Sequence, residues 1–470
     1  MLIKHFKYMC FPSVIPVGKE TKVAIVPRDI SRVFRPERKY ELCIFGIDDD
    51  RVDYHGKNTY DHEFWIEDGC LWFTHTFERE QEYSVRFYES DGTDIRLSVY
   101  AVEDDLYRLR PLKGELHCHT YYSDGQDGLA MTPSDYREAG YDFVAITDHH
   151  RMFPSELAAE LYDDVNIEMN IIKGEEVHAP GTSLHVVNIG GESVCRRYIE
   201  NSEKYEQEVT DIENALEHVP ELYRRRTAIA RWICEKIHNS GGISIFAHPF
   251  WYANTGRHNV SKEFSNILFD ENIFDAFELI GGIATLNNNK QLAMWHQQIA
   301  KGNNIPVVGN ADSHSHNYWG KFFARHFTVA FAADNTTGSI IDAIKNGNTV
   351  AAEIPSDSTD EIRFYGSKMR LVEFSHFLYN TYFQETLRLC ICDGVLMRRY
   401  AEGEDVGDIL QALYGTVEKF YQRFFGYLPA PVITTERQKF LDKARERQIN
   451  EGPVTKGTSL SIIRVNHRRE

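Results

Sequence analysis

Histidines and carboxylates collect at the C-terminal ends of a series of short apolar runs. GELHCHT carries His117 and His119, which flank Cys118 at i and i+2 and so share one face of an extended backbone, where two imidazoles can grip one cation. Five residues after His119, Asp124 lies in YYSDGQDG, a stretch that also suits a plain turn. FVAITDHH ends in Asp148, His149 and His150. IIKGEEVH supplies Glu175, Glu176 and His178, of which Glu176 and His178 share a face. LHVVNIGG adds His185, IFAHPF adds His248, and GNADSHSH adds Asp312 and His314 at i and i+2, with His316 beyond. Taken singly, each has a plainer explanation, such as a helix N-cap for Asp148 or a satisfied core histidine for His185 and His248. Together they require five or six successive strands each to end by accident in a potential ligand. A carboxylate at the end of a β-rich strand is also costly to bury unless paired or metal-bound. Nine oxygen and nitrogen donors exceed the four that one zinc takes. Two or three clustered divalent ions sharing a bridging carboxylate or hydroxide are therefore expected, and zinc, manganese and iron all suit imidazole with carboxylate.

The elements that must hold these groups are legible in the periodicity. From Gly114 onward short apolar strands alternate with helical patterns, including helices near 221–239 and 287–302, which favours parallel βαβ units. Pro220 suits a first helical turn, and Gly241–Gly242 stops the same helix. SIIDAIKNG with TVAAE completes this unit near residue 354. Before it, period-2 runs such as KVAIVP, YELCIFGI and EYSVRFYE predict an antiparallel β-sandwich of immunoglobulin type over 1–110. After it, EFSHFLYNTYFQETL and VGDILQALYGTVEKFYQRFF predict helices with aromatic stripes, for core packing or for a homo-oligomer contact. The domains expected are thus 1–110, 111–354 and a helical extension over 355–470, whose last twenty or so residues fray or dock a final strand.

Composition narrows the class. With 470 residues, 42% hydrophobic, there is ample surface for a core, which excludes a disordered or disulfide-scaffold chain. Seventy acidic against 52 basic residues, a net charge of −18, argue against bulk nucleic-acid binding, which needs a broad basic face. There is no apolar run of about 18 residues and no signal-peptide core at the start, so no membrane association and a cytoplasmic location are expected. The eight cysteines lack CxxC spacing and read as small buried hydrophobes, the Cys390–Cys392 pair included.

The motifs HCH, SDG, TDHH, GEEV, AHP and ADSH, in this order over about residues 112–354, resemble the PHP (polymerase and histidinol phosphatase) superfamily. GELHCHTYYSDGQDG after a β module looks like the branch containing metallohydrolases related to carbaryl hydrolase. The resemblance implies an α/β fold, a distorted (β/α)7 barrel with its metals at the C-terminal strand ends. It implies as ligands His117, His119, Asp124, His149, Glu176, His185, His248, Asp312 and His314, a set compatible with a trinuclear site. Glu176 rather than Glu175 becomes the bridging acid, because the family motif places it two residues after the glycine, here Gly174.

The function expected is a metal-dependent hydrolase. Its leading form is a phosphoesterase using a metal-bridging hydroxide on a small phosphorylated compound or nucleotide. A carbamate, ester or amide hydrolase is the alternative, and a binding or assembly protein with a metal-stabilised barrel is a third reading. Unassigned histidines are His150, His178 and His316; His178 and Asp148 are the catalytic candidates. Arg151, Arg225 and Trp251 are the substrate-binding candidates, the arginines for phosphate oxygens and the indole as a pocket wall. A Lys or Arg near the metals would favour the phosphoester, and an apolar pocket without cations the carbonyl substrate.

Overall fold

The computed structural model describes residues 6–29, 32–49, 61–89, 94–178, 181–195, 199, 201–253, 255–316, 322–355, 361–432, 439–440, 442–444 and 446–447, so the tail expected to fray or dock a strand lies outside the described residues. Eight strands open the chain: β1 (Tyr8–Phe11), β2 (Val14–Pro16), β3 (Glu20–Pro27), β4 (Tyr40–Gly46), β5 (Trp65–Glu67), β6 (Cys70–Thr76), β7 (Gln81–Glu89) and β8 (Asp94–Val102). They form two four-stranded sheets, ordered β1-β3-β6-β5 and β2-β8-β7-β4, in which only β2 on β8 is parallel. Alternate residues such as Val23 and Ile25 of one sheet and Val85 and Phe87 of the other share one buried cluster, as the period-2 runs require.

After α1 (Asp104–Tyr107) come β9 (Arg110–Cys118), α2 (Met131–Glu138), β10 (Phe143–Ile146), α3 (Phe153–Glu160), β11 (Asn170–His178), β12 (His185–Ile189), α4 (Ser202–Ala215), α5 (Glu221–Asn239), β13 (Ile243–Phe246), α6 (Lys262–Asp270), β14 (Ala276–Ile280), α7 (Thr285–Ala300), β15 (Val307–Gly309), β16 (His326–Ala332), α8 (Thr337–Lys345), β17 (Thr349–Glu353) and β18 (Arg363–Tyr365). The ten strands make one sheet, β15-β14-β13-β12-β11-β10-β9-β16-β17-β18. It nearly closes into a barrel: Cys118 at the end of β9 bridges Ser313 beyond β15, the Thr328 hydroxyl of β16 donates to the Gly309 carbonyl at 2.8 Å, and the Thr349 hydroxyl of β17 donates to that of Val307 at 2.8 Å. Leu112, Phe143, Ile172, Val187, Ile245, Val308 and Ala330 fill it together with Ile340, Ile341 and Ile344 of α8.

The sheet departs from an all-parallel pattern. β9, β10 and β11 are parallel, as are β13, β14 and β15, but β12 is antiparallel to both neighbours and β16 is antiparallel to β9. Only six residues separate His178 from His185, too few for the crossover of about a dozen that a parallel pair needs. α5 starts one residue after Pro220, which is its N-cap, and ends before Gly241, where φ is 85°.

The chain closes with α9 (Met369–Asn380), α10 (Tyr382–Ala401), α11 (Gly407–Leu413) and α12 (Thr416–Phe424). Their aromatics are buried within this chain. Phe374 and Phe377 pack on Tyr100 of the sandwich at 5.0 and 5.4 Å between ring centroids, and Phe374 on Phe331 of the barrel at 5.7 Å. Arg28 pairs with Glu385 at 2.5 Å, and Arg370 with Glu80 and Asp105 at 2.6 Å each. The helices thus brace sandwich against barrel. Cys390 is buried and Cys392 exposed, so the CxC pair straddles two sides of α10. Among the described residues no helix is long and apolar enough to cross a membrane.

Candidate metal centre

The site begins with a bulge. β9 and β10 pair Val144 with Glu115 and Ile146 with Cys118, so two residues, Leu116 and His117, stand opposite Ala145 alone. The two amides this leaves without ladder partners donate to Glu115 Oε1, at 3.1 and 3.0 Å, and Ala311 N donates to Glu115 Oε2 at 2.9 Å. Leu116 can therefore join the barrel interior while its neighbour His117, and then His119, face the metal group.

Glu176 is the hub. Its Oε2 lies 3.5 Å from His117 Nε2, 3.5 Å from His119 Nε2, 2.7 Å from His149 Nδ1 and 3.4 Å from His178 Nε2, and its Oε1 lies 2.7 Å from His185 Nδ1 and 3.2 Å from His248 Nε2. Asp312 Oδ1 lies 3.4 and 3.1 Å from the Nε2 atoms of His117 and His119. Asp124 Oδ2 lies 3.3 Å from Nε2 of both His149 and His314. Every one of the nine sequence-expected ligands is in this constellation. Glu175 turns away, accepting from Val194 N at 2.5 Å and Ser193 Oγ at 2.9 Å.

The donor set fits divalent metal. Four groups of three or four donors each converge within ligand distance: His119, Asp124, His149 and His314; His117, Glu176 and His248; His117, His119 and Asp312; His149, Glu176 and His178. The Nε2 atoms of His117, His119 and His178, Nδ1 of His149 and His185, Glu176 Oε2 and Asp312 Oδ1 are buried and crowd one another without hydrogen-bond geometry, a cost that metal coordination removes. Burial pushes the Glu176 and Asp312 carboxyls up, but the surrounding imidazoles, His185 and His117 for Glu176 and His117 and His119 for Asp312, hold both well below the usual carboxylate range. The cluster thus demands positive charge at its centre, which cations supply while leaving the imidazoles neutral ligands. His248 and Asp312 adopt positive φ, 21° and 45°, strained backbone where the ligands are presented.

One supporting residue carried no signal beyond being a carboxylate inside a short apolar strand. Glu278, buried on β14, lies 2.8 Å from His117 Nδ1 and accepts from Asn310 Nδ2 at 2.9 Å, which aims His117 Nε2 at the cluster. Asp148, the other catalytic candidate, is engaged by the loop after β9. Its buried carboxylate accepts from Thr120 N at 2.9 Å, Thr120 Oγ1 at 2.7 Å and Ser123 Oγ at 2.5 Å, so it anchors the loop carrying Asp124. His178 does reach the site, stacked on His185 at 3.6 Å between centroids. Arg225 is not brought there: it is tied to α4 through Glu206, Glu213 at 3.1 Å and Thr210 at 3.1 Å. Arg151 is exposed and does not line the cavity above the cluster. That cavity, about 390 Å³, is walled by Trp251, as expected, and by Phe322, Gly282, Ala311 and Ser313, with no Lys or Arg among its described lining residues. At Gly282 an added Cβ would meet the Ala311 carbonyl oxygen at 2.2 Å and the Asp312 Cβ at 2.6 Å, so only glycine lets the wall approach that ligand.

No family model matches the chain, and no curated protein matches it. Among solved structures, one similar to part of it is a two-domain protein containing a predicted PHP-like metal-dependent phosphoesterase from Bacteroides vulgatus, at 18% identity over 52% of this chain and 65% of that one, with a TM-score of 0.37. Another is an amidohydrolase from Chromobacterium violaceum with bound sulfate and no metal, at 16% identity over 43% of this chain and 88% of that one, TM-score 0.29. The chain thus spans just under two thirds of the first. Overlaps of this size leave the chemistry to be read from the chain's own side chains.

Proposed function

We propose that this chain is a metal-dependent hydrolase of small phosphoesters, of the PHP type that its ordered motifs resemble. The observation carrying the proposal is the convergence of nine donors, several of them buried without hydrogen-bond geometry, on the floor of one cavity. Two or three divalent ions there would supply a water of lowered pKa and the positive charge that phosphoryl oxygens need. Three ligating carboxylates, Asp124, Glu176 and Asp312, face six imidazoles. Two divalent ions would outweigh those three carboxylates by one charge before a hydroxide forms, so the ions rather than an arginine would hold an anionic substrate. Trp251 and Phe322 wall the cavity. His178 adds a further imidazole beside the hub, its Nε2 3.4 Å from Glu176 Oε2.

The apolar wall of Trp251, Phe322 and Ala311 supports a second reading, hydrolysis of an aryl carbamate or ester. The test is protein reconstituted with zinc, manganese or iron(II) and assayed on p-nitrophenyl phosphate, nucleotides, a cyclic phosphodiester and an aryl carbamate, with His117→Ala as control. Phosphoester turnover that falls at least about a hundredfold in His117→Ala is expected. Turnover of the carbamate alone moves the assignment to the second reading, and no turnover by fully loaded protein favours a binding role.

A further inference from the structure

The nine donors are not equally protected. His117, His119, Glu176 and His248 are buried, whereas the Asp124 and His314 side chains in the outer group are 53% and 37% exposed. Asp124 and His314 sit on loops following β9 and β15 rather than on the strands. The bridge of Cys118 to Ser313, with His119 N donating to the Ser313 carbonyl at 2.9 Å, stops short of Asp124 and His314, so further contacts must fix their separation.

Two contacts across the loops do so. Gln126 N donates to the His314 carbonyl at 2.8 Å, and Asp127, three residues after Asp124, accepts from His316 N at 2.7 Å, two residues after His314. The same Asp127 Oδ2 lies 2.8 Å from His316 Nδ1, and Asp135 Oδ2 flanks that nitrogen at 3.0 Å. The Asp127 carbonyl in turn accepts from Tyr121 N at 3.0 Å, closing the loop on itself. Asp127 is buried although its neighbour Gln126 is exposed, so its carboxylate is turned inward to the His314 loop.

We infer that Asp127 is a positioning residue that locks the two loops together and thereby sets the affinity of the outer group of His119, Asp124, His149 and His314, whose ion binds last and leaves first. The inference rests on the metal reading above. The lock's contacts fall on the loops of Asp124 and His314 and on no buried ligand directly, so its effect is expected chiefly at the outer group, and a preset separation between Asp124 and His314 spares the cost of ordering both loops when the ion arrives.

The test is equilibrium dialysis of the full chain against Mn²⁺, with bound metal counted by mass spectrometry. The wild type is expected to bind in a tight class and a weaker class, and Asp124→Ala to lose the weaker class. Asp127→Ala is expected to weaken that class at least tenfold with the tight class unchanged within twofold, and Asp127→Asn, which keeps an acceptor for His316 N, to restore most of it. If Asp127→Ala does not fold, His316→Gln carries the test and is expected to weaken only the weaker class. A single class in the wild type, or equal weakening of both classes or of neither, overturns the inference. Wild-type protein that binds no metal overturns instead the metal reading beneath it.

Discussion

His117 shows how much one side chain owes to its second nitrogen. Nε2 faces Glu176 and Asp312, and Nδ1 lies 2.8 Å from Glu278, which fixes the ring and its tautomer. Glu278→Gln is therefore expected to lower metal affinity about 10- to 100-fold, read by titration against a competing chelator. A second single-residue effect concerns pH. Burial pulls His326 down to about 4 from its usual 6.5, and it stacks on Phe322 at 4.8 Å. The unfolded chain then binds more protons than the folded one between those values, so stability is full above pH 6.5 and is lost as the pH falls toward 4, by about 3 kcal/mol in all. His326→Phe is expected to flatten the slope of melting temperature against pH over that window. The ligands themselves were legible because alternation along a strand fixes which residues share a face. The surroundings of Asp148 and Arg225 were not legible, because alternation does not reveal a partner: Thr120 and Ser123 claim the one, and Glu206 and Glu213 the other.

Elements were read more completely than the directions in which they run. α5 and α7 fall where the periodicity puts them, and the strands ending in TDHH, GEEVH, AHP and ADSH are all present. The antiparallel β12 follows from the short link after His178, a length visible in the sequence, while β16 gave no ligand and was passed over. The bulge that turns His117 inward depends on Glu115 accepting two amides, a side-chain contact no pattern encodes. Helix contacts are equally particular. Where α10 crosses α2, a Cβ at Gly394 would meet Glu138 N at 2.6 Å and Ser134 O at 2.7 Å, and Arg137 is fully buried with its Nε 2.7 Å from Asp393. Backbone cannot yield as a flexible side chain does, so Gly394→Val is expected to cost about 3 kcal/mol, seen as a lower urea midpoint with the slope unchanged.

For the molecule as a whole, the aromatic C-terminal helices serve a purpose the sequence left open between internal packing and subunit contact. An amphipathic stripe looks the same in either case, and only the placement of Tyr100 and Phe331 beneath Phe374 and Phe377 shows that these rings are used internally. Ligands drawn from β9, β11 and β12 and from the loops after β9, β10, β13 and β15 make metal binding a whole-barrel matter. Chelation by EDTA is thus expected to lower the unfolding free energy by about 2.7 kcal/mol for each ion removed, relative to metal at a hundred times its dissociation constant, a shift that grows with the logarithm of metal concentration. The most direct test of the central claim is the metal content of the reconstituted full chain set beside that of Glu176→Ala. Two or three divalent ions per wild-type chain, with loss of more than one on removing the shared carboxylate, is the predicted result. Folded wild-type protein that retains less than one ion per chain after dialysis from zinc, manganese and iron(II) would contradict it.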